Sequence, residues 1–110
     1  MAGYFELKPA AAGTFSFNLK SANHQVILTS ETYTTKSAAE GGIESVRKNA
    51  ADDARYQREV AMDSSPYFVL TAGNGQIIGR SEMYASASAM ESGIASVKTN
   101  APTPAVKDLT

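Results

Sequence analysis

Tyr4-Phe5-Glu6-Leu7-Lys8 alternates apolar and polar side chains until the stretch from Pro9 to Gly13 interrupts it. Phe15, Phe17 and Leu19 then alternate with Ser16, Asn18 and Lys20, the period-two signature of a strand with one buried face. Ala22-Asn23-His24 predicts a turn, and Gln25 to Ser30 a return strand. Beyond Tyr33 the period changes. Ala39, Ile43, Val46 and Ala50 fall at helical spacing. Ser37 and Glu40 read as a capping box, serine at the N-cap and glutamate reaching back from the third helical position. Asn49 stands where a helix commonly leaves through a left-handed residue.

The whole order returns 51 residues later. Between Phe17–Ala50 and Phe68–Ala101, 17 of 34 aligned pairs are identical without a gap. Ser30-Glu31-Thr32-Tyr33 becomes Ser81-Glu82-Met83-Tyr84, and Gly42-Ile43 through Asn49-Ala50 becomes Gly93-Ile94 through Asn100-Ala101. Ser88 and Glu91 repeat the capping box, and Met90, Ile94, Val97 and Ala101 repeat the helical stripe. Two copies are too few for a solenoid, so each unit is expected to cover the other's open apolar face. The chain therefore predicts one α+β domain over residues 1–110. Its tandem duplicated βββα units, about 4–51 and 55–102, form a pseudo-twofold antiparallel sheet with two helices. The first strand of the second copy, Tyr56-Gln57-Arg58-Glu59-Val60, carries the weakest pattern. Pro102 and Pro104 stop the second helix, and the tail from Thr103 to Thr110 is expected to fray.

Gly73-Asn74-Gly75 predicts a type I′ hairpin turn, with Asn23-His24 as its weaker counterpart. Gly42 and Gly93 each cost a helix interior about 1 kcal/mol relative to alanine. With Ala38 and Ser45 (Ala89 and Ser96) they make a smooth stripe that predicts close backbone approach, either of helix to sheet or of helix to helix. The units differ on the outward positions of the second strand, which are Ser16, Asn18 and Lys20 in one copy and Tyr67, Val69 and Thr71 in the other. A strand facing water keeps polar residues there. Tyr67 and Val69 are therefore candidates for a partner or ligand surface.

Composition narrows the function mainly by exclusion. The 110 residues, 43% of them hydrophobic, suffice for one core. A formal charge of −1 offers no basic stripe to displace counterions from nucleic acid. Cysteine is absent, which excludes disulfides, a thiolate nucleophile and Cys-ligated metals. No apolar run approaches the roughly 20 residues of a membrane span. The opening Met-Ala-Gly-Tyr-Phe-Glu has no basic or apolar leader segment, so a soluble cytoplasmic protein without a cofactor is expected. His24 is the single histidine and lacks a partner ligand, so no metal site is expected.

The polar residues common to both copies are the remaining candidates. Asn23 and Asn74 belong to the turns. Glu31 and Glu82, between strand and helix, would form an acid/base pair if the twofold brought them together beside Tyr33 and Tyr84. Asn49 and Asn100 are candidates for bonds across the unit interface. A nucleic-acid surface would need Arg47, Lys48, Arg80 and Lys98 to gather.

The strings Phe17 to Ile27, Ser30-Glu31-Thr32-Tyr33 and Gly42 to Ala50, and still more Asn74 to Tyr84 with its continuation to Ala101, resemble the YegP-like family of small uncharacterised proteins. The resemblance covers nearly the whole chain. It implies an α+β fold of tandem repeats with no established activity. It also implies that two units pair, since single-repeat forms exist. The chain departs from the family pattern at Pro9 to Gly13, at His24 and in its degenerate fourth strand. The sequence thus leads to a non-enzymatic binding or interaction module, with a small enzyme using Glu31/Glu82 and a weak nucleic-acid binder as alternatives. The duplication favours a monomer, because the twofold contact is made within one chain; a dimer is the other arrangement.

Overall fold

The computed structural model describes residues 3–103 and 105–110; the chain start at Met1 and Ala2 and the stop assigned to Pro104 lie outside them. The alternating segments form β1 (Tyr4–Pro9), β2 (Phe15–Lys20) and β3 (Val26–Thr29), followed by α1 (Lys36–Asn49). The second copy repeats them as β4 (Tyr56–Val60), β5 (Pro66–Thr71), β6 (Ile77–Arg80) and α2 (Ala87–Asn100), and β7 (Val106–Asp108) closes the chain. All seven strands make one sheet in the order β4-β5-β6-β3-β2-β1-β7.

The two halves meet at β3 and β6, which pair antiparallel through Thr29 and Arg80. These residues are equivalent in the repeat, so the pseudo-twofold passes between them. Leu28 and Gly79 are also equivalent, and a Cβ at Gly79 would lie 2.6 Å from Leu28 Cδ2. One leucine fills the space beside the axis, and the second copy yields with a glycine.

Both helices lie on one face of the sheet. Phe5, Leu7, Phe17 and Leu19 from one half join Phe68 and Leu70 from the other, and Ile43, Val46, Ile94 and Val97 close over them in one continuous core. Each helix reaches beyond its own unit, α1 touching β5 and β6 and α2 touching β2 and β3. The mutual covering expected of a duplicated unit is therefore literal. The opposite face carries no α-helix among the described residues.

Three expectations require correction. The helices begin two residues earlier than the capping boxes predicted. Thr35 and Ser86 are the N-caps, their hydroxyls accepting from the N–H groups of Ala38 and Ala89 at 3.0 and 3.1 Å, which leaves Ser37 and Ser88 inside the first turn. The exits are not left-handed either. Ala50 and Ala101 cap in right-handed geometry, while the Asn49 and Asn100 amides donate back to the carbonyls of Ser45 and Ser96 at 2.8 Å. Those amides bond within their own helices, not across the units. Finally, the tail read as frayed forms β7, parallel to β1. The sheet is consequently mixed.

Candidate functional site

The two turn asparagines hold their hairpins by local bonds. Asn74 Oδ1 accepts from Gln76 N–H at 3.1 Å and Asn23 Oδ1 from Gln25 N–H at 3.4 Å. Positive φ falls on the next residue, 70° at His24 and 86° at Gly75, and on neither asparagine. The type I′ expectation is therefore replaced by a three-residue loop ending in one left-handed residue, with a bulge at Leu19/Lys20 and at Leu70/Thr71. His24 tolerates the left-handed position that glycine takes in the other copy, and its Nδ1 lies 2.9 Å from the Tyr4 hydroxyl. The antiparallel β3–β6 pair places the two turns at opposite ends of the sheet. Among the described residues no cluster of three or more histidines and carboxylates is arranged to hold a metal ion.

Glu31 and Glu82 are both exposed. Each follows the Thr29–Arg80 pair by two residues in opposite directions, about 13 Å apart along the strands at the usual rise. The twofold separates these carboxylates instead of pairing them. Tyr33 and Tyr84 turn away from them toward the core, their rings stacked at 12° on Phe17 and Phe68. Burial, and then the nearby Glu31 or Glu82 charge, raises both phenol pKa values and keeps the hydroxyls neutral. The helix glycines now find their reason. A Cβ at Gly42 would lie 2.8 Å from Tyr33 Cζ, and one at Gly93 would lie 2.6 Å from Tyr84 Cζ. The close approach predicted for the glycine stripe is made by a tyrosine ring, not by a second backbone.

Tyr67 and Val69 point to the helix-free face, and they differ. Val69 is 3% exposed despite facing outward, flanked across the strands by Gln57 and Arg80. Thr71 is buried as well and donates to the Arg55 carbonyl at 2.9 Å. Tyr67 remains half-buried at the surface, with the Arg80 guanidinium 5.8 Å from its ring centroid. The four cations of the nucleic-acid alternative do not gather. Arg80 lies on this face, whereas Arg47 donates to the Thr103 carbonyl and Lys98 to Asp53 on the helix side.

The largest asymmetry between the copies lies at the sheet edges, which the sequence pattern did not single out. β1 is covered: Phe5 N–H donates to the Ala105 carbonyl at 3.0 Å, and the Leu7 carbonyl accepts from Leu109 N–H at 2.8 Å. Its counterpart β4 is the other edge, and no strand lies beyond it among the described residues. Equivalence to Leu7 aims the Arg58 backbone outward. Tyr56 N–H, equivalent to that of Phe5, is taken by the Asp53 carbonyl, so the open stretch begins at Arg58. Pro9 ends β1 with no N–H to offer; its counterpart Val60 keeps one and is 67% exposed, with Met62 fully exposed beyond it.

Charge also collects at this edge. Arg58 Nε and Nη2 donate to the two Glu91 oxygens at 2.6 and 3.0 Å, and Nη2 reaches Asp53 Oδ1 at 3.2 Å. Lys98 Nζ meets the same Asp53 oxygen at 2.9 Å. Glu91, read from the sequence as a capping residue, is thus a partner of the edge strand. Hydrogen bonds from Lys98 and Arg58 lower the Asp53 pKa, and those from Arg58 lower that of Glu91. At the covered edge the corresponding pair is Lys36 Nζ with Asp108, 2.6 Å apart. A comparison of the copies at the 51-residue offset, Pro9 against Val60 and Leu7 against Arg58, is the signal that would have found this site.

A family profile described as a domain of unknown function (DUF1508) matches the chain twice, at residues 10–57 and 61–108. It frames the repeat from the loop after β1 to the following strand, with the same 51-residue spacing between its starts (61 − 10). A UPF0339 protein of Bordetella pertussis is 62% identical over 111 residues, covering 100% of this chain and 98% of the relative. The UPF0339 protein YegP of Escherichia coli is 51% identical over 110 residues, covering all of both. Two solution NMR structures share the fold. A UPF0339 protein from Shewanella oneidensis superposes with a TM-score of 0.94 at 52% identity, covering 100% of this chain and 93% of that one. The Escherichia coli YegP structure, described as a protein of unknown function, superposes with 0.95 at 51%, covering 100% and 95%.

Proposed function

This chain belongs to the UPF0339 family and carries its DUF1508 unit twice, and from that premise we propose that it is a monomeric binding module that takes up an extended peptide segment along the free edge of β4. The observation that carries the reading is the inequality of two equivalent edges. β1 holds a seventh strand and, among the described residues, β4 holds none. An edge strand presents a row of backbone donors and acceptors, and proteins usually blunt it with proline, lysine or a covering element. β4 has charges at Arg58 and Glu59 but retains the exposed apolar pair Val60 and Met62 where β1 ends in Pro9. Strand addition to such an edge draws affinity from main-chain bonds and specificity from alternate side chains. Tyr67, opposite Glu59 on β5, supplies an amphipathic flank on the helix-free side. No helix is long and apolar enough to cross a membrane among the described residues.

The test is an amide-resolved NMR titration of the labelled chain with pools of short extended peptides. Shifts confined to Gln57–Val60, with Tyr67 on the flank, are the expected result. Shifts centred on the Asn23 or Asn74 turns, or at Glu31 and Glu82, would relocate the site and overturn the edge reading.

A further inference from the structure

The covered edge is a template for what the open edge takes. β7 runs parallel to β1 with Phe5 opposite Val106 and Leu7 opposite Asp108. The Asp108 carboxylate, opposite Leu7, is met by Lys36 from the first turn of α1. In the other half Lys36 is replaced by Ala87, so the helix offers no cation there. The cation has moved onto the strand: Leu7 is replaced by Arg58, whose side chain lies on the helix side of β4 and ends at Glu91. Each edge therefore has a cation on its helix side, delivered from a helix in one unit and from the strand in the other, where Glu91 and Asp53 pair it.

From this we infer that the β4 edge recognises an acidic extended segment of a partner protein, running parallel to β4, with a carboxylate opposite Arg58 and an apolar residue two positions further on, opposite Val60. The inference rests on the strand-addition reading above. Arg58 can receive a further carboxylate because one of its two present partners is shared, while Glu91 keeps its own bonds to Nε and Nη2. Lys98 also holds Asp53, so Asp53 can release Nη2 without losing its ion pair. The apolar requirement follows from Val60, which stands exposed on the same side as Arg58, with Met62 just past it. A second copy of this chain is a poor occupant. Two β4 strands paired antiparallel about Arg58 would set guanidinium against guanidinium, a like-charge cross-strand pair. The tail of a second copy would have to abandon its own β1.

The experiment uses the full-length labelled chain and a blocked peptide, Ala-Val-Lys-Asp-Leu-Val-Ala, with an Asn-for-Asp version and a spin label at either end. The expected result is amide shifts at Gln57–Val60 with movement of the Arg58 Nε signal. Affinity should fall about tenfold for the Asn peptide and for Arg58→Gln, the size of one charge-assisted hydrogen bond. A label on the peptide's amino end should broaden signals near Tyr56, and one on its carboxyl end those near Met62. The reverse broadening pattern, or equal affinity of the Asp and Asn peptides at β4, overturns the inference while leaving strand addition standing. Shifts at Phe5 and Leu7, reporting exchange with the chain's own tail, overturn it as well. No shift at millimolar peptide overturns both readings. Unchanged dispersion of core signals such as Phe68 and Ile94 in Arg58→Gln separates lost binding from lost folding.

Discussion

Gly93 carries a cost whose compensation is visible in one contact. Alanine there would gain about 1 kcal/mol of helix propensity, but the three atoms nearest its Cβ all belong to Tyr84. That ring is stacked on Phe68, and its backbone N–H is tied to the Pro66 carbonyl at 2.9 Å, so it has little room to yield. Overpacking of this kind costs about 1–3 kcal/mol, and the clash outweighs the propensity. Gly93→Ala is expected to destabilise the domain by about 1–2 kcal/mol in urea unfolding. In a Tyr84→Ala background the same change should stabilise by up to about 1 kcal/mol; the absence of that sign reversal would show that the glycine serves another contact. On the opposite face, Tyr67 and Val69 separate by the same kind of measurement. Val69→Ser should cost about 2–3 kcal/mol, and Tyr67→Ser about 1 kcal/mol or less. A larger loss at Tyr67 would make it a core residue and remove it from the binding flank.

At the level of elements, the helical stripes and strand alternations were legible because burial imposes their periods. The starts of the helices were less so. Thr35 and Ser37 are both good caps by type, and the choice of Thr35 depends on where the chain leaves Tyr33, whose backbone is bonded to Phe15 in both directions. Thr35→Ala and Ser86→Ala should each lose about 1 kcal/mol, and Ser37→Ala and Ser88→Ala almost nothing. Equal effects in both pairs would mean that the caps shift in solution. β4 was illegible as an edge because its inward position is an arginine and not a leucine, and the period-two pattern loses its apolar mark there. The ion network that replaces it makes a pH prediction. Asp53 and Glu91 have folded pKa values below their unfolded ones, so the unfolded state binds protons first as pH falls. Their contribution is present near neutrality and is lost as pH falls through the ordinary carboxylate range of about 4 and below it. An Asp53→Asn/Glu91→Gln variant should show a flatter acid limb than the parent in thermal melts across that range; parallel limbs would leave the network without a role in stability.

For the molecule as a whole, the 51-residue period dictated a paired architecture, and the sheet with its two mutually covering helices follows from it. The period could not reveal the tail, because the tail breaks the symmetry. The chain leaving α1 becomes β4 and lies beside β5. The chain leaving α2 would by symmetry lie beside β2, but β1 already occupies that place, so the tail docks one strand further out. The same broken symmetry leaves β4 bare and β1 covered. Removing the chain after Thr103 should therefore equalise the two edges. Amide exchange at Phe5 and Leu7, slow in the full chain, should rise to the rate found at Arg58, with a stability loss of about 1–3 kcal/mol for the two or more ladder bonds removed. Persistent protection of Leu7 in the truncated chain would mean that β7 adds nothing to β1, and the template for the β4 edge would fall with it. If exchange does rise, the truncated chain offers an acidic peptide two equivalent edges at once. Its preference for Arg58 over Leu7 would then measure how far the second unit has turned a structural edge into a recognising one.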